Sequence, residues 1–340
     1  QKSAAEMVRE ILGDMVGNRL TLSVNKKALQ LVDKAIERKE ELRIEVSTGP
    51  LGCTVIDAGI RASGGYAAGI LATEICLGGY GSAVTASMDY GGLVLPSIFV
   101  QTDFPAIATL GSQFAGWSIK TGDYFAMGSG PARALSKKPK EIYEQIQYED
   151  HCDSAVIMLE ADSPPTEEAV RTIAAECEIS PKNLYAIVAP TSSIVGSIQI
   201  GGRIVETGIH KLSQVGLDPK LVSYGCGYAP IPPIHPKAAR AMGRTNDALY
   251  YGGVTFYAVA SESDDQLKSI VSRSPSCTAN VYGKPFYEIF KEAEFDFYRI
   301  DPNLFAPAVV LVNNTKTGVT FKAGKINVEV LRQTMGVVDT

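Results

Sequence analysis

Between residues 154 and 224 the chain alternates two periodicities, and that alternation restricts its fold more than any other feature. Residues 154–159, 184–189 and 221–224 are short, apolar or β-branched runs that read as strands. Between them, residues 166–177 and 197–216 carry apolar residues at helical intervals. Thr166 suits an N-cap, and Glu167 and Glu168 suit the first turn behind it. A strand–helix–strand–helix–strand order implies a partly parallel sheet with covering helices.

The rest of the chain is mixed. Residues 1–19 and 24–40 read as amphipathic helices. Ser23 caps the second, which turns Leu31, Val32, Ala35 and Ile36 inward. Residues 42–46, 53–58, 83–88 and 93–100 read as strands, with helical runs at 66–76 and 105–115. A short helix is expected at 236–242 and another at 328–335. Asn313-Asn-Thr-Lys-Thr317 between apolar runs at 308–312 and 318–322 signals a hairpin. The expected fold class is therefore α/β with mixed sheets, and the length of the chain suggests two domains or lobes. Polar residues 147–153 suggest where the lobes divide. Residues 1–21 would be a helical extension. Residues 22–150, joined by 308–340, would form one lobe, and residues 151–307 the other.

Composition removes several classes of function. With 340 residues, 45% of them hydrophobic and 20% charged, the chain has ordinary globular core material. Its net charge of -5, with no dense Lys/Arg cluster, argues against a nucleic-acid partner. No apolar run approaches a membrane span, and residues 1–19 lack a signal-peptide core. The six cysteines show no Cys-x-x-Cys, which fits free thiols in a reducing cytoplasm. His151, His210 and His235 have no zinc-ligand spacing, so no metal site is expected. A P-loop, a nucleophile elbow and a complete dinucleotide loop are also absent. Gly128-Ser-Gly130 begins such a loop, but Arg133 stands at the position of its third glycine.

Gln199-Ile-Gly-Gly-Arg-Ile-Val-Glu-Thr207 places Arg203 and Glu206 three residues apart, on one face of the expected 197–216 helix. On spacing alone an ordinary surface ion pair explains them. Gly201 and Gly202, one turn ahead, would cost about 1 kcal/mol each within a helix and would leave room for something to approach the backbone. Two loops are candidate ligand contacts. Gly128, Ser129 and Gly130 could bind an anion or a pterin edge through backbone amides, although a plain turn fits as well. Thr191 and Ser193 follow a strand at the end where α/β proteins place ligands, although a capping loop fits equally. Gln199 opens the Arg203 segment.

Several longer runs resemble one family. They are Leu22-Ser-Val-Asn25, Leu110-Gly-Ser-Gln113, Ala115-Gly-Trp117, Tyr124-Phe-Ala-Met-Gly-Ser-Gly-Pro-Ala-Arg-Ala134, Val188-Ala-Pro-Thr191 and Ile194-Val-Gly-Ser197. Gly202-Arg-Ile-Val-Glu-Thr207, Tyr282-Gly-Lys-Pro-Phe-Tyr-Glu-Ile-Phe290 and Ile300-Asp-Pro-Asn-Leu-Phe-Ala-Pro307 continue the series in the same order. The chain resembles the methenyltetrahydromethanopterin cyclohydrolases of methanogens, related archaea and some methylotrophic bacteria. The resemblance implies reversible, cofactor-free hydrolysis of a cyclic methenyl cation to an N5-formyl pterin by a homotrimer. It implies a subunit of two α/β lobes around an inter-lobe cleft, with Arg203 and Glu206 as the catalytic pair. Gly128, Ser129, Gly130, Thr191, Ser193 and Gln199, from the loops and segment read above, are then the expected substrate contacts. Residues 1–21 lie outside it, and Gly201 stands where the family pattern has serine.

The expected chemistry follows from the substrate. A carbon bonded to two nitrogens in a cation is already electrophilic, so water needs only a base. Glu206 would be that base. Arg203 would orient Glu206 and hold its pKa low. A non-catalytic pterin-binding paralogue, another cyclic-amidine hydrolase and a structural trimer with a vestigial cleft remain alternatives.

Overall fold

Alternating apolar side chains along paired strands build this protein around two sheets. The structure is a computed structural model and describes residues 22–338. The expected helix at 1–19 lies outside them. Strands β1 (Glu45–Thr48), β2 (Thr54–Asp57), β5 (Trp117–Thr121), β6 (Tyr124–Ser129), β7 (Ala155–Glu160) and β8 (Leu184–Val188) form the first sheet, in the order β1-β2-β8-β7-β6-β5. Strands β3 (Ser82–Asp89), β4 (Val94–Thr102), β9 (Val222–Pro230), β10 (Val254–Val259), β11 (Val309–Asn314) and β12 (Thr320–Gly324) form the second, ordered β12-β11-β10-β9-β4-β3.

Both sheets are mixed, as the alternation implied. In the first, β7 and β8 run parallel and the Glu167–Glu176 helix connects them, capped by the Thr166 hydroxyl on the Ala169 amide. Ala155, Ile157 and Leu159 of β7 face one core, and Val156 and Met158 face another. That two-sided burial is why β7 reads as a continuous apolar run. The Val24–Glu37 and Tyr66–Cys76 helices pack on the second of these faces. Ser23 caps the former as expected, with Val32 and Ala35 buried, whereas Leu31 and Ile36 are half-buried.

Three expectations need correction. The third strand of the alternation does not complete the first sheet: β9 crosses to the second and lies antiparallel between β4 and β10. The expected division near residue 150 does not follow the sheets, since each takes strands from both sides of that point. Gly128 and Ser129, read as part of a binding loop, are the end of β6, and β5 and β10 were not expected at all. Elsewhere the Tyr66–Cys76 and Val328–Met335 helices have the expected bounds, and the β11–β12 hairpin forms. The expected 236–242 helix runs as Ala238–Gly252. Among the described residues no helix is long and apolar enough to cross a membrane.

Candidate functional site

The expected 197–216 helix is two helices, Ile194–Gly201 and Ile204–Gln214, with Arg203 as the residue before the second. Two adjacent glycines lower the cost of that break, and packing selects it. A Cβ on Gly202 would lie 2.5 Å from Thr73 Cγ2, so the Tyr66–Cys76 helix occupies the room that the glycine leaves. The break still puts Arg203 and Glu206 at one helix start, and both are buried, at 8% and 6% exposed. An exposed ion pair is thereby ruled out.

A third element organises them. Residues Ala106–Gln113 form a π-helix, in which the ladder closes over five residues, as Phe114 N–H on the Thr109 carbonyl shows at 2.9 Å. Its last carbonyls need partners from elsewhere. Leu110 and Ser112 carbonyl oxygens accept from Arg133 Nη1, each at 3.1 Å. The Gly111 carbonyl accepts from the Tyr143 hydroxyl at 2.9 Å, and Gln113's from Arg203 Nη2 at 2.9 Å. Gln113 Nε2 returns a bond to the Gly202 carbonyl at 3.0 Å, which ties the π-helix to the joint between the two helices. The negative end of the helix dipole thus holds two guanidinium groups.

Glu206 is the carboxylate beside them. Burial pushes its pKa up to about 7, and the Arg203 and Arg133 charges limit the rise. The expectation of a low pKa is therefore reversed, because the sequence showed the partner but not the desolvation. Nor does Arg203 grip Glu206: its guanidinium hydrogen bond goes to the Gln113 carbonyl instead. One turn beyond Glu206, the His210 ring packs on Phe114 with centroids 4.7 Å apart. Burial, with Lys211 and Arg133 nearby, pushes His210 down to about 4, so it is neutral at neutral pH.

Four buried side-chain atoms on these elements lack hydrogen-bond partners: Gln113 Oε1, Arg133 Nη2, Gln199 Oε1 and Arg203 Nε. Buried polar atoms are seldom left so. Among the described residues no group of three or more His, Cys, Asp or Glu side chains is placed to hold a metal ion.

The other expected contacts divide. Ser129 reaches Cys76, whose pKa burial raises to about 11 and the Arg203 charge lowers, so the end of β6 borders the pair. Gly128 is committed to the ladder between Trp117 and Leu159, and Gly130 N–H donates to the Ser112 carbonyl at 3.0 Å. Neither glycine therefore offers its amide as expected. Thr191 bonds to Glu160, and Ser193 caps the Ile194–Gly201 helix through the Gly196 amide at 3.0 Å. Their side-chain hydrogen bonds go to β7, to this loop and to the helix that follows it, and none goes to Arg203 or Glu206. Sequence reasoning missed Gln113, Arg133 and His210 as members of the site. An arginine between Ala132 and Ala134 in a short apolar turn was the available signal.

Comparison with known proteins gives the family. The family model described as "Cyclohydrolase (MCH)" matches residues 23–335. This chain belongs to the MCH cyclohydrolase family. It is 50% identical over 318 residues to methenyltetrahydromethanopterin cyclohydrolase of Methanocaldococcus jannaschii, covering 93% of this chain and 98% of that one. The enzyme of that name from Methanothermobacter marburgensis is 49% identical over 320 residues, covering 93% and 100%. The Methanococcoides burtonii enzyme is 45% identical over 316 residues, covering 93% and 99%. Arg203, Glu206, Gln113 and Arg133 all lie within the residues that the cyclohydrolase model matches.

Proposed function

We propose that this cyclohydrolase family member hydrolyses 5,10-methenyltetrahydromethanopterin to the N5-formyl compound, reversibly and with water as co-substrate. The observation that carries the mechanism is Glu206: a buried carboxyl whose pKa of about 7 suits a base at neutral pH. Water oxygen bonds to the methenyl carbon while Glu206 takes its proton. The bond from that carbon to N10 then breaks, N10 regains a proton, and one proton is released overall. Ionised Glu206 also faces the substrate's positive charge. Arg203 holds the carboxylate in its charged form, and the carbonyl end of the π-helix offsets the arginines' own charge. Gln113, Gln199, Arg203 and Arg133 also keep buried polar atoms without hydrogen-bond partners on the elements around Glu206, which makes this part of the interior polar. Ser129 completes the wall, while Gly128 acts through the strand that carries Ser129, and Gly130, Thr191 and Ser193 through the shape of their loops.

In labelled water, the reaction should place one heavy oxygen in the formyl group and none elsewhere. Product without label would refute water attack, and binding without product would favour a non-catalytic pterin-binding protein. Assembly as a homotrimer and residence in the cytoplasm belong to the same proposal. A stable monomer in light scattering at micromolar concentration would contradict the first.

A further inference from the structure

Arg133 is a buried cation with no carboxylate hydrogen-bonded to it. It is fully buried, and its hydrogen bonds all go to main-chain carbonyl oxygens: Nε to Lys138 at 2.7 Å, Nη1 to Leu110 and Ser112. Its guanidinium lies 5.1 Å from the Phe114 ring centroid and 5.7 Å from that of Tyr143. Nη2 is buried with no partner. Carbonyl oxygens, ring faces and the end of the π-helix offset part of the cost of burying this charge, and a nearby carboxylate would offset more. The π-helix run Leu110–Gln113 that holds Arg133 also holds Arg203, so one short segment fixes both guanidinium groups. Phe114 carries Arg133 on its ring at 5.1 Å and also packs, at 4.7 Å between centroids, on His210, which lies one turn beyond Glu206 on the same helix face. Arg133 therefore sits on the Glu206 side of that helix, and the charges of both arginines favour the ionised carboxylate.

We propose that Arg133 is a positioning residue for Glu206, a second fixed positive charge that keeps this buried carboxylate ionised for water attack. This rests on Glu206 being the base. The other groups around Glu206 do not supply that charge. Tyr250 of the Ala238–Gly252 helix and Tyr257 of β10 are pushed well above the usual tyrosine range by burial, so both are neutral. Cys76, on the Tyr66–Cys76 helix, is raised to about 11 and His210 lowered to about 4, so these are neutral as well. Lys211, on Glu206's own helix, directs its Nζ to Asn303 Oδ1 at 2.6 Å. Arg203 and Arg133 remain as the charges that set the carboxylate.

The test is kcat/KM against pH for wild type, Arg133→Gln and Arg133→Lys, with Glu206→Gln as control. Gln keeps amide donors for the carbonyls but no charge, whereas Lys keeps the charge with poorer geometry. Arg133→Gln should move the acidic limb upward by about one pH unit, a loss of about tenfold below the limb that is recovered at high pH. Arg133→Lys should leave the limb near its wild-type position whatever its rate. A folded Arg133→Gln with an unmoved limb overturns the proposal, as does an equal displacement in the Lys variant. If instead the wild type has no limb, or Glu206→Gln retains it, Glu206 is not the base and the underlying reading fails first. Should Arg133→Gln not fold, the double variant Arg133→Gln/Glu206→Gln decides. Coupled charges predict that neutralising both restores folding, and a double variant no more stable than the single one overturns the coupling.

Discussion

Replacing Glu206 by Gln should cost activity and raise stability, and the two effects have one cause. The carboxyl is buried, and its pKa lies at about 7 against an ordinary 4.5. Ionising it in the folded protein therefore costs about 3 kcal/mol more than in the unfolded chain. The sign follows from the raised pKa. The neutral form's stability is fully present below about pH 4.5 and is lost as pH rises through about 7. Gln keeps the size and the neutral state, so near pH 8 the variant should be more stable by up to about 3 kcal/mol, roughly 4 °C in Tm for a chain of this length. Near pH 4.5 the advantage should vanish. His210 titrates with the opposite sign over the same range, so the comparison must be between the variant and wild type at each pH. Losing the base should lower kcat by about 10²–10⁴-fold. Calorimetry near pH 8 and pH 5, with turnover measured on the same samples, checks both. A variant less stable than wild type near pH 8, or equally displaced at both pH values, would refute the argument that burial of this charge is costly. Activity within about threefold of wild type would remove Glu206 as the base.

Other consequences follow from the same geometry. Arg203→Ala takes away the donor on the Gln113 carbonyl and a charge that lowers Glu206. Turnover should fall about 10²-fold or more, with the acidic limb moved upward, and an unmoved limb would show that the two charges are not coupled. His210, pushed to about 4, adds stability that is present above its ordinary 6.5 and lost as pH falls through about 4. Its ring resonances should therefore stay fixed between about pH 5.5 and 8, and titration near 6.5 would contradict its burial. Gly202→Ala forces a methyl to 2.5 Å from Thr73 Cγ2 and should cost about 1–3 kcal/mol in denaturant unfolding while lowering kcat. Wild-type stability would mean that the helices are not held apart by that contact.

How far the sequence could be read depended on whether local or distant groups decide the structure. The Val328–Met335 helix, the Ser23 and Thr166 caps and the β11–β12 hairpin are set by local spacing and turn chemistry, and all appear as expected. The joint at Gly202 was not legible, because a glycine pair permits either an open helix face or a break, and Thr73, far away in sequence, selects the break. The π-helix looked like an ordinary helix, since its widening is supported by Arg133, Tyr143 and Arg203 from three other segments. Arg203 and Glu206 were legible as a pair by spacing, but their roles were not. Nothing in the spacing shows that both are buried, and burial turns a low pKa into a high one. Arg133 stood in plain view as the residue in place of a third glycine, and only its burial gives it meaning.

The central claim is that this chain turns over a methenyl pterin. The most direct measurement follows the methenyl cation's absorbance after addition of protein to methenyltetrahydromethanopterin, beside the tetrahydrofolate analogue and the Glu206→Gln variant. The account predicts rapid loss of absorbance with the methanopterin and wild type, and little with Glu206→Gln. Absorbance that decays no faster than in buffer, with wild-type protein that is folded and binds the pterin, would contradict it.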